Sequence, residues 1–168
     1  ALFLMFVFLI IIPTTYITLR DVYIPNRPPA KLTLDEIEGL SFLKNQPDGV
    51  VLTYPFDLDK AKEAISNPPR PLYLYESTSY VSAYSNKNVY LEDEVNLNIM
   101  NYDWNSRRNL IKDWYAEPDQ KVAREFLENN QIKYIYWLKN QRALLGESQL
   151  GLVKIFENNE CMIFSVEK

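Results

Sequence analysis

The 168-residue sequence contains no histidine, one cysteine and four glycines. The absence of histidine excludes Ser-His-Asp and Cys-His catalysis, histidine general bases and the usual zinc ligand sets. Cys161 can form no disulfide within the chain, and its place in an apolar run predicts a buried core residue rather than a reactive thiol. The four glycines are scattered and form neither a phosphate-cradling loop nor a dinucleotide fingerprint. We therefore expect no catalytic residues, cofactor or metal ion in this chain.

A basic surface is also lacking, because 18 lysines and arginines stand against 22 acidic residues and give a net charge of -4. The basic residues occur singly among acids, so the chain offers no field that attracts a phosphate backbone. Nucleic acid is not expected as a partner. The hydrophobic share of 47% and the charged share of 24% are those of an ordinary globular protein. The length suits one domain with a single core.

Twelve apolar residues, ALFLMFVFLIII, open the chain. A helix built from them is apolar on every side, which favours a lipid environment. Since a complete span needs about 20 residues, residues 1–19 are expected to be the end of a transmembrane helix that begins upstream. A signal-peptide core and a buried core helix are the alternatives, but no basic segment precedes the run and no small-residue cleavage site follows it. Arg20, Arg27 and Lys31 leave the orientation open, because the positive-inside signal is weak before a long folded domain.

A connector and a first helix follow the apolar run. Residues 20–30 hold three prolines and predict a stiff link to a soluble domain formed by residues 31–168. Thr33 and Glu36 have the spacing of a capping box, and Leu34, Ile37, Leu40 and Leu43 follow at helical spacing. Further helices are predicted after Asp57 or Asp59, after Asp103 with Leu110, Ile111 and Trp114 inward, and from Pro118 with Val122, Ala123, Phe126 and Leu127 inward.

Short apolar runs alternate with these helices. Residues 50–54 and 133–138 are predicted strands covered on both faces, residues 88–92 a further strand, and residues 72–76 a strand or loop. The two runs that flank Asn158-Asn159 predict a hairpin with a type I′ turn. The fold class is therefore α/β, with three layers, a mostly parallel sheet and a C-terminal antiparallel hairpin, preceded by the end of a transmembrane helix.

Polar residues suggest three candidate groups for substrate binding. The acids Glu92, Asp93 and Glu94 follow a predicted strand, where open α/β sheets place ligand sites. They could bind Ca²⁺ or sugar hydroxyls, or simply cap the next segment. The second group lies in a segment rich in tyrosine and serine that could stack on a sugar ring, although tyrosines also suit strands; its members are Tyr80, Tyr84, Asn86 and Lys87. The third group could hold a phosphate or carboxylate, or form surface salt bridges; its members are Arg107, Arg108 and Arg142.

Four segments, in order, carry a family resemblance: YSNKNVYLEDE at 84–94, YDWNSRR at 102–108, IKYIYWLKNQR at 132–142 and LVKIFENNECMIFSV at 152–166. Together they resemble the C-terminal soluble domain of bacterial multi-spanning membrane glycosyltransferases of the GT-C type, including dolichyl-phosphate-mannose-transferase-like and YfhO-like proteins. The resemblance covers the whole chain, including the junction between membrane and domain. The sequence departs from many relatives at residues 86–88, where a Gly-Arg pair is frequent.

The resemblance implies a lipid-phosphate-linked sugar donor and a catalytic carboxylate in an early loop between membrane helices, a part absent from this chain. It implies an extracytoplasmic accessory domain that recognises or positions substrate. The expected partners are the membrane, the upstream transmembrane part of the same protein and a lipid-linked sugar or glycan acceptor. The alternatives are a non-catalytic structural or protein-interaction domain, recognisable by an exposed apolar patch, and a free-standing soluble enzyme.

Overall fold

The computed structural model describes residues 2–24, 30–116, 119–141 and 151–167. Its α-helices are α1 (Leu2–Thr18), α2 (Leu34–Lys44), α3 (Leu58–Ile65), α4 (Tyr80–Ser85), α5 (Glu94–Ile99), α6 (Trp104–Ala116) and α7 (Gln120–Asn129). Its strands are β1 (Ala30–Lys31), β2 (Val50–Thr53), β3 (Arg70–Pro71), β4 (Asn88–Val89), β5 (Ile132–Leu138), β6 (Leu152–Glu157) and β7 (Cys161–Val166). A π-helical turn, Leu19–Tyr23, continues α1.

The N-terminal helix has the length and composition of a membrane span. Phe3–Tyr23 comprises 21 residues with a mean hydropathy of 1.9, and 0% of its most apolar window is buried. About 20 residues cross the hydrocarbon core, so a spanning length is reached within the chain itself. The helix also continues past the expected boundary at residue 19, and residues 20–23 of the predicted connector are helical. Residues 25–29 of that connector lie outside the described residues.

The central sheet has the strand order β4-β2-β5-β7-β6. Strands β4, β2 and β5 are parallel, and β7 runs antiparallel to both β5 and β6. Four strands therefore point one way, and the predicted mostly parallel sheet with a C-terminal antiparallel hairpin is confirmed. We call the edge at which β2, β4 and β5 end the carboxyl edge, and the edge at which they begin the amino edge.

The turn of the hairpin differs from the predicted type I′ turn, because neither Asn158 nor Asn159 has a positive φ. Instead, the Asn158 side-chain oxygen accepts hydrogen bonds from the backbone N–H groups of Glu160 and Cys161, at 3.2 and 3.0 Å. This arrangement is an Asx turn, in which the asparagine side chain accepts hydrogen bonds from backbone N–H groups that follow it in the chain. It takes the place of the type I′ turn.

Helices cover both faces of the sheet, which confirms the three layers. Helices α2 and α4 pack on one face over Val51, and α6 and α7 pack on the other over Leu52. The predicted inward residues Ile111, Trp114, Ala123 and Leu127 are buried. Two predictions of the same kind were wrong: Leu110 and Val122 are exposed, because each lies beside the buried stripe of its helix. Leu34, the first residue of α2, is exposed as well.

Two short helices and a short strand replace the predicted loops and strands between residues 72 and 99. Residues 72–74 form a 3₁₀ turn, and only Asn88–Val89 of the predicted strand 88–92 joins the sheet. The segment between them contains α4, and α5 follows the strand. The chain leaving β2 reaches β4 over the α2 face, whereas the chain leaving β4 reaches β5 over the opposite face. Ligand crevices of open α/β sheets form where such connections diverge.

Candidate functional site

A small cleft lies at the carboxyl edge between the ends of β2 and β4, where the two connections diverge. Its volume is about 40 Å³, whereas small-molecule pockets typically enclose ~300–1,000 Å³. A sugar ring would therefore lie across the rim rather than inside. The cleft is lined by residues 53–56, Tyr73, Tyr75, Glu76, Thr78, Tyr80, Val81 and residues 91–94.

Glu92 holds the start of α4. Its Oε1 accepts a hydrogen bond from the backbone N–H of Val81 at 2.9 Å, and its Oε2 accepts one from Ser82 at 3.0 Å. Free N–H groups of a first helical turn favour a carboxylate partner. Burial raises the pKa of Glu92, and these two hydrogen bonds act in the opposite direction. Glu92 therefore caps α4 with both of its carboxylate oxygens.

Asp93 holds the start of α5 in the same way. Its carboxylate accepts hydrogen bonds from the backbone N–H of Asn96 at 3.4 Å and from the Asn96 side-chain amide at 2.7 Å. Its own N–H donates to the carbonyl of Thr78 at 3.1 Å. Glu92 and Asp93 therefore both perform one of the roles considered for these acids, which is capping. Within the part of the chain that the structure describes, no three His, Cys, Asp or Glu side chains are grouped to hold a metal ion.

Glu94 and Arg108 form a buried ion pair beside the cleft. Their side chains are 3% and 17% exposed, and Glu94 Oε2 lies 3.0 Å from Arg108 Nη2. Arg108 Nη2 instead donates its hydrogen bond to the carbonyl of Phe56 at 2.7 Å. Among the described residues, Glu94 Oε2 and Arg108 Nε have no hydrogen-bond partner. Burial raises the pKa of Glu94 to about 7, with Arg108 acting to lower it and Glu76 to raise it.

Arg107 lies against aromatic side chains rather than an acid. Its Nη1 donates to the carbonyl of Tyr90 at 2.9 Å, and its guanidinium lies 5.0 Å from the ring centres of Tyr90 and Tyr102. Such a position suits cation–π attraction. The guanidinium of Arg108 similarly lies 5.4 Å from the Trp104 ring centre. Both arginines thus fix the first turns of α6 to the carboxyl edge.

The tyrosines of the second candidate group differ in exposure. Tyr80 lines the cleft but is buried, and its hydroxyl lies 3.5 Å from Glu36 Oε1. Burial raises the pKa of Tyr80 well above its ordinary value, and the charge of Glu36 adds to the effect. Tyr84 is half exposed on α4. Tyr80 can therefore contact a ligand only where its side chain lines the cleft.

Asn86 and Lys87 lie apart from the acids, because they precede β4 while the acids follow it. Asn86 ends α4 with a φ of 53°. Lys87 Nζ lies 3.3 Å from Asp48 Oδ1 and 3.4 Å from the Lys44 carbonyl, at the amino edge. Arg142 lies outside the described residues. The structure thus groups Tyr80, Glu92, Asp93, Glu94 and Arg108 around the cleft and excludes Asn86 and Lys87 from it.

Sequence reasoning missed part of the cleft. Tyr54 and Phe56 follow the end of β2, just as the acids follow β4, and they line the same cleft. The rule that favoured residues at the carboxyl end of a strand could have identified them. Tyr75, Glu76 and Thr78 complete the rim. Tyr75 and Thr78 belong to the segment rich in tyrosine and hydroxyl groups that the sequence singled out, whereas Glu76 was missed because it lies in a loop, where no sequence rule gives a position.

No known protein-family profile matches the chain. Protein Ycf2 of Helianthus annuus and Protein Ycf2 of Guizotia abyssinica are each 25% identical to it over 121 residues, which cover 66% of this chain. The alignment spans only 6% and 5% of those two proteins. Among solved structures, the C-terminal globular domain of an oligosaccharyltransferase from Archaeoglobus fulgidus superposes with a TM-score of 0.49 at 10% identity, over 82% of this chain and 99% of that domain. A likeness of that size establishes no shared activity.

Proposed function

We propose that this chain is the membrane-anchored accessory domain of a glycosyltransferase that uses a lipid-phosphate-linked sugar. The proposal is carried by one observation: an apolar, unburied helix is joined to an α/β domain in which the cleft acids Glu92, Asp93 and Glu94 bind groups of the domain itself. A domain of this kind is suited to recognition rather than bond chemistry. The sequence resemblance to GT-C proteins supplies the reaction class.

The rim of the cleft offers the groups that sugar recognition needs. Tyr75 presents a half-buried ring, Glu76 an exposed carboxylate and Thr78 a hydroxyl. Aromatic faces pack against the apolar faces of sugar rings, and carboxylates accept hydrogen bonds from hydroxyl groups. In this proposal the rim holds the lipid-linked sugar or a glycan acceptor on the extracytoplasmic side, next to the transmembrane part of the same protein. The catalytic carboxylate belongs to that transmembrane part.

Sugar transfer in native membranes tests the proposal. The protein would be affinity-tagged at its chromosomal locus, and its membranes supplied with polyprenyl-phosphate-linked sugars. We expect transfer, and we expect at least a tenfold loss when residues 30–168 are removed while the rest still inserts. Undiminished transfer after that removal would contradict an accessory role.

A second measurement separates the alternatives. The 168-residue chain, reconstituted alone in vesicles with the same donors, is expected to give no product. Turnover by this chain would identify it as an enzyme in its own right. A structural or protein-interaction domain is favoured instead if removal of residues 30–168 lowers the amount of protein in the membrane but leaves the transfer rate per molecule unchanged.

A further inference from the structure

Helix α3 carries an apolar stripe that the domain covers only at its middle. Leu58, Ala61 and Ile65 share one side of the helix, because residues three, four and seven apart align along it. Ala61 is 3% exposed, whereas Leu58 is 54% and Ile65 65% exposed. The ends of the stripe therefore extend beyond the core. Large apolar side chains grouped on one side of a helix are candidates for an interaction surface.

The stripe lies at the carboxyl edge, beside the cleft. Helix α3 follows the end of β2, and Lys60 Nζ donates a hydrogen bond to the carbonyl of Asn140, which follows the end of β5. Ile65 lines a shallow depression together with Arg70 and Tyr75. The Arg70 guanidinium lies 3.6 Å from the ring centre of Tyr75, which also lines the cleft. The stripe and the rim thus form one surface.

The chain enters the domain at this same edge. Ala30 pairs with Arg70 in the small parallel sheet of β1 and β3, and the preceding described residue is Ile24 at the end of the apolar helix. Six peptide units separate Ile24 from Ala30, and their fully extended length is at most about 22 Å. The amino edge lies one strand length farther from Ala30, which is about 23 Å for the seven-residue strand β5. The short link therefore keeps the carboxyl edge, rather than the amino edge, near the end of α1.

We infer that Leu58 and Ile65 rest in the interfacial layer of the bilayer that α1 enters, so that the cleft rim faces the lipid surface. Burying the two side chains there removes apolar area from water. Lys62 is exposed and lies on the same side of α3, from where its long stem can place the ammonium among lipid phosphates. The inference rests on membrane insertion of α1 and not on sugar transfer. Its test uses no substrate, so the two proposals can fail separately.

Depth-dependent quenching tests the contact in the full chain reconstituted into phosphatidylcholine vesicles. Ile65→Cys would carry an environment-sensitive fluorophore, and Val153→Cys, an exposed apolar position at the amino edge, is the matched control. Cys161 is buried, so the unmodified chain gives the labelling blank. Spin-labelled lipids are expected to quench the Ile65 probe several-fold more than the Val153 probe, with a blue-shifted emission. Equal quenching at the two positions would overturn the inference.

Further measurements distinguish other occupants of the stripe. Leu58→Cys is expected to behave like Ile65→Cys, and quenching of only one of the two would contradict a stripe lying in the interface. Adding phosphatidylglycerol should change the quenching little, because the contact is apolar; quenching that appears only with anionic lipid would contradict it. Self-quenching of the Ile65 probe that rises with protein concentration in lipid-free micelles would assign the stripe to a second copy of the chain.

Discussion

The two edges of the central sheet hold their charges in different ways. At the carboxyl edge, Glu94 and Arg108 are both withdrawn from water, and polar atoms of each lack hydrogen bonds among the described residues. At the amino edge, the buried Lys87 ammonium pairs with Asp48, whose side chain is fully exposed. An enclosed pair loses the hydration of two ions, whereas the open pair keeps one partner in water. The buried pair at the carboxyl edge thus costs hydration free energy, and such unfavourable electrostatics are typical of functional sites.

The largest effect is expected when the enclosed pair is broken. Arg108→Met removes the cation beside Glu94 and the hydrogen bond to Phe56, and should lower the free energy of unfolding by about 4 kcal/mol at pH 8. At pH 5.5 the loss should be smaller, because Glu94, with a pKa of about 7, is then protonated. Urea unfolding of the full chain in micelles measures both values. Lys121→Met, at an exposed position of α7, is the control, and equal losses at the two pH values would show that the charge of Glu94 does not change between them.

The Glu94 carboxyl should also make stability depend on pH. Its pKa is raised from 4.5 to about 7 in the folded chain, so between these values the folded state binds the proton and the unfolded state does not. The stabilisation is complete below the unfolded pKa and is lost as the pH rises through the folded pKa, by roughly 3 kcal/mol in total. Glu94→Gln should flatten that fall.

The comparison of Glu94→Gln with the unmodified chain isolates this one group. The pKa values of Glu36 and Glu92 are also raised, but both residues remain in the variant. Unfolding would be followed at half-unit steps from pH 4.5 to 8, with the exposed Glu125→Gln on α7 as the control. Parallel curves for the two chains would mean that Glu94 titrates normally.

A smaller effect is expected at the start of α4. Glu92→Ala removes the acceptor of the Val81 and Ser82 N–H groups and should cost about 1–2 kcal/mol. Hydrogen exchange of these two amides should accelerate about tenfold or more. Glu76→Ala, an exposed acid on the same cleft rim, should leave both exchange rates unchanged. Unchanged exchange rates of the Val81 and Ser82 amides in Glu92→Ala would show that Glu92 does not cap α4.

The smallest effect is expected at the amino edge. Lys87→Met keeps a long apolar stem in place and leaves Asp48 in water, so the free energy of unfolding should change by less than about 1 kcal/mol. The same urea titration used for Arg108→Met gives the value. A loss as large as that of Arg108→Met would erase the difference between the two edges.

Much of the fold follows from local sequence signals. The Thr33 side chain and Glu36 form the predicted capping box of α2, Asp57 caps α3, and the apolar run at Ile132–Leu138 is a buried strand. Helices α4 and α5 have six residues each, too few to show a helical stripe. They depend on the capping carboxylates of Glu92 and Asp93, which are contacts that no local pattern reports.

The candidate site could be placed by sequence but not described. The position of residues 92–94 after a strand located them at the carboxyl edge. Their roles depend on partners far along the chain, such as Arg108 for Glu94. Lys87 and Glu92 are five positions apart in sequence, yet β4 lies between them and places them at opposite edges. Candidate residues that are close in sequence therefore lie at two edges that the sheet separates.

Transfer kinetics of matched variants test most directly whether the carboxyl edge serves the substrate. Glu76→Gln changes an exposed carboxylate on the cleft rim, and Asn88→Ala changes an exposed side chain at the amino edge. In native membranes supplied with lipid-linked sugar and acceptor, Glu76→Gln should raise KM for one of the two substrates about tenfold, as expected for a lost charged hydrogen bond, with kcat unchanged. Asn88→Ala should leave both constants unchanged. An unchanged KM in Glu76→Gln, or an equal rise in Asn88→Ala, would contradict the assignment of recognition to the carboxyl edge.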